Sequence, residues 1–205
     1  MSVTANGGIE VVLFDIGGVV VDVNDFTKLL TGSGITDTES FHERWLMCPA
    51  VRSFESGRCD VATFAASTIE DLNLEITPGA FLDAFNRWPR GVFPGIKNLI
   101  RETRDAVTVG CLSNTNTLHW NAFIPHLEPE TLFHHQFLSF EIGLLKPDAE
   151  IYAHASQVIG VAPGNILFLD DNRLNIEAAR EAGYCAELVS SVAESRNALQ
   201  CHEVL

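Results

Sequence analysis

Five polar side chains stand where predicted strands end or where a predicted helix begins: Asp15, Ser113, Lys146, Asp170 and Asp171. In an open parallel sheet, ligands bind beyond the carboxyl ends of the strands, so we expect these groups to converge. Asp15 and Asp171 offer the hard oxygen ligands that suit Mg²⁺, and a free oxygen of Asp15 could attack phosphorus. Ser113 could hold phosphate oxygens, and Lys146 would neutralise the charge on the nucleophile and the phosphoryl group. The set predicts phosphoryl transfer to a carboxylate.

Each of these residues also has an ordinary structural explanation when it is taken singly. The acidic residues could cap helices, Ser113 could belong to a turn, and Lys146 could be a solvated surface lysine. Their joint occurrence at the ends of successive elements favours a common site over separate structural roles.

Short apolar runs rich in β-branched residues predict the strands that would position this site. The run Val11–Phe14 does not alternate, which is typical of a strand buried on both faces of a parallel sheet. Helical patterns separate the runs, and this alternation predicts the α/β class. The predicted strands are Ile9–Phe14, Val107–Leu112, Phe137–Phe140, Ile166–Leu169 and a weaker Cys185–Val189.

Two predicted helices of this α/β region have clear boundaries. The first covers Lys146–Ile159, with Pro147 at its first helical position and Gly160 at its end. The second covers Asn172–Ala182 and ends at Gly183, which suits a left-handed C-cap.

Between about residues 23 and 90, strand-like runs disappear and helical periodicity dominates. Apolar residues at helical spacing form one stripe within 61–72 and another within 81–88, and we expect their aromatic rings to pack in a core. We interpret 23–90 as a helical insert after the first strand, with 1–22 and 91–205 forming the α/β core. The segment 89–95 is the predicted return into that core. Four arginines of the insert could line a substrate entrance, although a solvated or salt-bridged surface is favoured: Arg52, Arg58, Arg87 and Arg90.

Four sequence motifs, taken in order, resemble those of the haloacid dehalogenase-like hydrolases: Phe14–Val20, Leu112–Asn114, Lys146-Pro147 and Leu169–Asn172. The resemblance covers nearly the whole chain. It implies a Rossmann-like three-layer fold with a parallel sheet and an inserted small α-helical cap. Within the family, the chain most resembles sugar-phosphate phosphatases whose first motif reads D-x-G.

The resemblance also implies a role for each matching residue in the reaction. Asp15 corresponds to the nucleophile that forms an aspartyl-phosphate. Ser113 and Asn114 correspond to substrate-binding residues that hold the phosphate. Lys146 corresponds to the positive charge that binds the phosphate and assists catalysis.

A metal site is implied by the same resemblance. The family cofactor is Mg²⁺, and its predicted ligands here are Asp15, the carbonyl of Gly17, Asp170 and Asp171. Asp170 would support the metal directly or through water.

Gly17 departs from the pattern of most phosphatases in this family. They carry a second aspartate two positions after the nucleophile, where it protonates the leaving group and activates water. General acid–base catalysis is typically worth about 10²–10⁴-fold, so the difference matters. It predicts slow turnover, a substitute acid such as Asp22 or a residue of the insert, or a substrate whose leaving group needs little protonation.

Three alternative functions use similar residues or the same fold, and the sequence argues against the first two. A 2-haloacid dehalogenase would use Asp15 without metal, but members of that branch usually have an aromatic residue where Gly17 stands. A receiver-type signalling domain would have its acidic pair on the first strand and a shorter chain. A binding protein that has lost catalysis would keep the fold without turnover, as the glycine at position 17 would allow.

The composition narrows the range of partners. Thirteen Lys and Arg against twenty-seven Asp and Glu give a net charge of −14, so nucleic acid and anionic membrane surfaces are not expected partners. Five scattered cysteines with no CxxC pair indicate neither a disulfide framework nor a zinc site. No signal-peptide or membrane-span pattern is visible. We expect a cytoplasmic monomer or homodimer that acts on a small phosphorylated metabolite.

Overall fold

The computed structural model describes residues 8–30 and 38–205, and seven strands lie in these ranges. Five form a parallel sheet in the order β5-β4-β1-β6-β7, and β2 pairs with β3 in an antiparallel ribbon. The strands are β1 Val11–Phe14, β2 Val21–Val23, β3 Pro89–Val92, β4 Thr108–Ser113, β5 His135–Leu138, β6 Ile166–Asp170 and β7 Cys185–Leu188.

Strand β1 lies at the centre of the sheet, between β4 and β6. Its four side chains are buried and alternate between two apolar clusters: Val12 and Phe14 face one, and Val11 and Leu13 face the other. The absence of polar alternation in this run therefore follows from helices covering both faces of the sheet.

Helices α6 and α12 pack on the first face, together with α7 and α8, whereas α10 and α11 pack on the second. The three-layer α/β fold is thereby confirmed. No helix among the described residues has the length and apolar character to cross a membrane. The helices of this region are α6 Ile96–Ala106, α7 Thr117–Leu127, α8 Pro129–Leu132, α9 Ser139–Ile142, α10 Ala149–Ile159, α11 Arg173–Glu181 and α12 Val192–Cys201.

The predicted start of the helix at Lys146 is wrong. Helix α10 begins at Ala149, because Asp148 has an extended backbone with ψ 138° and leaves Pro147 outside the helix. The backbone of Lys146 is instead held by the side chain of Asn114. At its other end α10 ends before Gly160, as predicted, and Gly160 caps it with a left-handed backbone of φ 78°.

Within the described part of the segment between β2 and β3 lie five helices, which share a separate apolar cluster rich in aromatic rings. On α4, the buried positions Phe64, Ala65, Thr68 and Leu72 confirm the predicted stripe. Residues 31–37 of the predicted insert, like residues 1–7 of the predicted core, lie outside the described residues. The helices are α1 Phe26–Leu29, α2 Thr38–Met47, α3 Pro49–Glu55, α4 Val61–Leu72 and α5 Pro78–Asn86.

The sequence patterns do not predict the antiparallel ribbon of β2 and β3. It occupies both ends of the helical segment, and Val21 pairs with Val92. Three- and four-residue strands are too short to show alternation, and Pro89 and Gly91 disfavour a strand. The first four residues of the predicted return at 89–95 therefore form strand β3.

Candidate active site

Asp15 follows β1 directly, and its two carboxylate oxygens have different surroundings. Oδ1 accepts a hydrogen bond from the Ile16 N–H at 2.7 Å and lies 2.9 Å from Lys146 Nζ. Oδ2 has no hydrogen-bond partner among the described residues. Burial raises the pKa of the Asp15 carboxyl from 3.8 to about 6, although Lys146 opposes the shift. One oxygen is thus fixed, and the other is available for chemistry.

Lys146 is fully buried between two carboxylates. Its Nζ lies 2.9 Å from Asp15 Oδ1 and 2.6 Å from Asp170 Oδ2. Burial opposes the charge on the ammonium group, but the attraction of the two carboxylates outweighs burial and keeps the pKa above its ordinary value. Lys146 therefore carries a permanent positive charge beside Asp15.

Both carboxylate oxygens of Asp170 accept hydrogen bonds. Oδ1 accepts from the Asn172 N–H at 2.7 Å and from Asn175 Nδ2 at 3.1 Å, and Oδ2 accepts from Lys146 at 2.6 Å and from Asn175 at 3.0 Å. A carboxylate with these partners fixes Lys146 in place. Direct metal ligation by Asp170 would have to displace one of these partners.

Asn175 is a site residue that sequence reasoning missed. It is buried on the first turns of α11, donates to Asp170, and has an Oδ1 atom that is buried without a partner among the described residues. An amide on the apolar face of the Asn172–Ala182 pattern was the available signal, because a buried polar group normally has a specific partner.

The acidic cluster of Asp15, Asp170 and Asp171 brings three carboxylate oxygens within 4.8 Å of one another. The peptide at Gly18 lies against Asp171: a Cβ there would come within 2.0 Å of Asp171 Oδ2, and its φ is +75°. Asp171 is exposed at one edge, yet limited hydration and the neighbouring Asp15 and Asp170 raise the pKa of its carboxyl to about 8. Such a cluster fits a divalent cation, which removes the mutual repulsion of its charges.

Ser113 and Asn114 end β4 as predicted, but their surroundings differ. The side-chain amide of Asn114 donates to the Lys146 carbonyl and accepts from the Lys146 N–H, both at 2.9 Å. Asn114 therefore holds the segment that carries the lysine. Ser113 is almost fully buried, and its hydroxyl makes one long 3.5 Å contact, to the Asn114 carbonyl.

A cavity of about 630 Å³ opens over Asp15. Sequence-predicted residues on its wall include Gly17, Asn114, Lys146 and Asp171, whereas Ser113 is not part of the lining. Residues of the helical segment and of α11 complete the wall, among them Asp25, Trp45, Glu55, Trp88 and Arg173.

The four arginines considered for the entrance do not line this cavity. Arg52 pairs with Asp148, and Arg90 pairs with Asp22 at 3.3 Å. Backbone carbonyls accept from the other two, Arg58 and Arg87. The favoured interpretation as paired surface residues agrees with these contacts. Arg173, which sequence reasoning did not single out, is the exposed arginine at the cavity.

The raised carboxyl pKa values predict how stability depends on pH. Glu55 and Asp171 have folded pKa values of about 8, and burial is the main cause, so folding retains protons that the unfolded chain has lost. The metal-free protein should therefore lose about 1–3 kcal/mol of stability between about pH 6.5 and pH 8, after discounting for the exposed edge of Asp171. Burial lowers the pKa of His119 from 6.5 to about 4. Its contribution to stability therefore rises with pH mainly below about pH 6.5 and changes little within this window.

Urea unfolding at the two pH values measures this difference, and added Mg²⁺ should stabilise the protein more at the higher pH. Unchanged or greater stability of the metal-free protein at the higher pH would contradict the prediction.

The protein has a parallel α/β fold with a carboxylate-centred site at the end of its central strand. A family model described as haloacid dehalogenase-like hydrolase matches residues 9–183, and the chain belongs to that family.

Comparison with individual proteins gives more distant similarities. The chain is 28% identical to a D-ribitol-5-phosphate phosphatase of Bacteroides thetaiotaomicron, over 86% of this chain and 89% of the relative. A family enzyme from the same organism, solved in complex with magnesium and inorganic phosphate, superposes with a TM-score of 0.68 at 24% identity, covering 88% and 94% of the two chains. An L-2-haloacid dehalogenase of Xanthobacter autotrophicus, solved with covalently bound chloropropionic acid, superposes with a TM-score of 0.61 at 19% identity, covering 96% and 84%.

Proposed function

We propose that this protein is a Mg²⁺-dependent phosphomonoesterase that acts through an aspartyl-phosphate on a small phosphorylated metabolite. The observation that carries the proposal is the Asp15 carboxylate at the cavity wall: Ile16 and Lys146 fix one oxygen, and the other has no hydrogen-bond partner among the described residues. Residues 23–90 would form the cap over this cavity, on a core of 1–22 and 91–205.

In the first step, Asp15 Oδ2 attacks phosphorus and the bond to the leaving oxygen breaks. Lys146 holds the other Asp15 oxygen and attracts the phosphoryl oxygens, so negative charge does not accumulate on the nucleophile. Ser113, which ends β4 beside the cavity-lining Asn114, is the proposed hydroxyl donor to a phosphate oxygen, and to act so its hydroxyl would have to leave its long contact. In the second step, water attacks the same phosphorus, and phosphate and the free Asp15 carboxylate are regenerated.

The cation site is best supplied by Asp15 and Asp171, with the Gly17 carbonyl. Asp170 supports it indirectly, because both of its oxygens already accept hydrogen bonds. When bound, Mg²⁺ supplies positive charge that screens the nucleophile from the phosphate dianion. This assignment is consistent with the relative solved with magnesium and phosphate.

The size and lining of the cavity favour a small polar substrate, and a sugar or sugar-alcohol phosphate is the first class to test. Its volume suits a compact metabolite, and its wall combines indole rings with the polar groups of Asn24 and Asp25. The relative named D-ribitol-5-phosphate phosphatase supports the same class. A cytoplasmic monomer or homodimer that binds neither nucleic acid nor membrane remains the expected setting.

A dehalogenase is the second candidate, since dehalogenases share the fold. The acidic cluster favours the phosphatase, because the carboxylates of Asp170 and Asp171 beside Asp15 would repel the carboxylate of a haloacid in a site without metal.

A substrate panel tests the proposal. Purified protein with Mg²⁺ should release phosphate from at least one of ribitol 5-phosphate, hexose phosphates, glycerol phosphate and 4-nitrophenyl phosphate. Chelation of the metal should abolish the release. Folded protein that releases chloride from 2-chloropropionate without metal, and no phosphate from the panel, would establish the alternative.

A further inference from the structure

Glu55 is a buried acidic residue that has no role in the two steps described above. It is the last residue of α3 in the helical segment, and it lines the same cavity as Asp15 and Lys146. Only 9% of the residue is exposed, and its carboxyl has no hydrogen-bond partner among the described residues. Burying a carboxyl group without a partner is costly, so its retention calls for an explanation.

Two other acidic residues of the helical segment, Asp60 and Asp71, have clear structural roles. Asp60 accepts a hydrogen bond from the Thr63 N–H and caps α4, and Asp71 accepts from the Ala50 N–H at 3.1 Å. Glu55 caps no helix and bonds no described backbone group. A structural role of the kind its neighbours have is therefore absent.

Contacts on both sides of Glu55 fix its position over the core. Arg52, one turn earlier, pairs with Asp148, which is two residues beyond Lys146. Arg58 donates to the Gly143 carbonyl at 3.1 Å, and a Cβ on Gly57 would lie 2.5 Å from the Phe140 carbonyl oxygen. The α3 end is therefore docked against the segment that carries the catalytic lysine, with Glu55 directed into the cavity.

The place where related phosphatases carry their acid is vacant here. Gly17 has no side chain, and a Cβ there would meet only Val23, at 4.0 Å. Asp22, the other candidate substitute, pairs with Arg90 and does not line the cavity. Among the described residues of the cavity wall, two carboxyl groups have no hydrogen bond or ion pair, those of Glu55 and Asp171. Asp171 belongs to the proposed cation site, so Glu55 is the remaining candidate for the acid.

We propose that Glu55 is the proton donor to the leaving-group oxygen, supplied from the helical segment in place of the acid missing at position 17. This inference rests on the proposed phosphatase function. As the phosphorus–oxygen bond breaks, the Glu55 carboxyl transfers its proton to the departing alkoxide, which leaves as an alcohol. In the second step the Glu55 carboxylate takes a proton from the attacking water, which restores the acid.

The electrostatic surroundings agree with this role. Burial raises the pKa of the Glu55 carboxyl from 4.5 to about 8, so the proton is present at neutral pH. The charged groups that face it are Arg52 on its own helix and Asp15 and Lys146 on the core. Lys146 and Arg52 oppose the shift, and Asp15 adds to it.

The test compares two leaving groups in a Glu55→Gln protein. An alkoxide needs a proton to depart, whereas 4-nitrophenolate does not. Glu55→Gln should lower kcat/KM by about 100-fold or more for the best alkyl phosphate of the panel, and far less for 4-nitrophenyl phosphate. Introducing Gly17→Asp into the Glu55→Gln protein should restore alkyl phosphate hydrolysis, since the position has room for a carboxylate. Glu70→Gln, on the exposed surface of α4, is the matched control and should leave both rates unchanged.

Equal losses on both substrates would show that Glu55 is structural, and no loss on the alkyl phosphate would show that it is not the acid. A wild-type protein that cleaves 4-nitrophenyl phosphate but no alkyl phosphate would also overturn the inference while leaving the phosphatase proposal in place. Failure to cleave any phosphate ester would instead overturn the proposed function.

Discussion

An Asp15→Asn protein should fold normally and release essentially no phosphate, with a loss of about 10⁴-fold or more. The amide keeps the size of the side chain and can accept the Ile16 N–H hydrogen bond through its oxygen. It lacks the carboxylate oxygen that we propose as the nucleophile, and it would weaken the proposed cation site. Phosphate release in the presence of Mg²⁺ measures the effect, and circular dichroism verifies the fold.

Asp22→Asn is the matched control for this substitution. Asp22 lies on the β2–β3 ribbon, pairs with Arg90 and is not part of the cavity wall. Its loss should leave the rate within about twofold, since exposed ion pairs contribute little. An Asp15→Asn protein that kept a tenth of the wild-type rate would exclude Asp15 as the nucleophile.

Replacing Lys146 by Met should remove activity and destabilise the fold together. The substitution removes the ammonium group between Asp15 and Asp170 and leaves two buried carboxylates near each other. Removing one partner of a buried ion pair typically costs about 3–5 kcal/mol. The free energy of unfolding in urea and the rate of phosphate release are the two measurements.

Lys97→Met provides the comparison for stability. Lys97 lies 2.7 Å from the exposed carboxylate of Glu128, so its loss should cost less than about 1 kcal/mol and leave activity intact. If Lys146→Met were as stable as Lys97→Met, the account of Lys146 as a charge held between two buried carboxylates would be wrong.

The central sheet was predictable because its signals are local. Val11–Phe14 is uniformly apolar because both faces of β1 are covered, and β6 shows the same character in Ile166–Leu169. Gly160 and Gly183 end helices with positive φ, as their sequence positions indicate. The positions of three functional motifs followed from these strands, since each of the three spans a strand end, whereas Lys146 lies between α9 and α10.

The features that sequence reasoning missed depend on contacts between distant residues. The supporting role of Asn114 depends on the backbone of Lys146, 32 residues away. Asn175 matters because Asp170 accepts its amide, and Glu55 matters because α3 docks on the segment after β5. A start of α10 at Pro147 fits the local pattern, but the chain before Ala149 is extended to deliver Lys146.

Chemical trapping of the intermediate tests the central claim most directly. The protein would be mixed with 4-nitrophenyl phosphate and Mg²⁺, quenched in acid during turnover and reduced with borohydride, which converts an aspartyl-phosphate into homoserine. Peptide mass spectrometry should then find homoserine at position 15 and at no other aspartate, and none in the Asp15→Asn protein. Turnover with an unmodified Asp15, or homoserine at a different position, would contradict the mechanism.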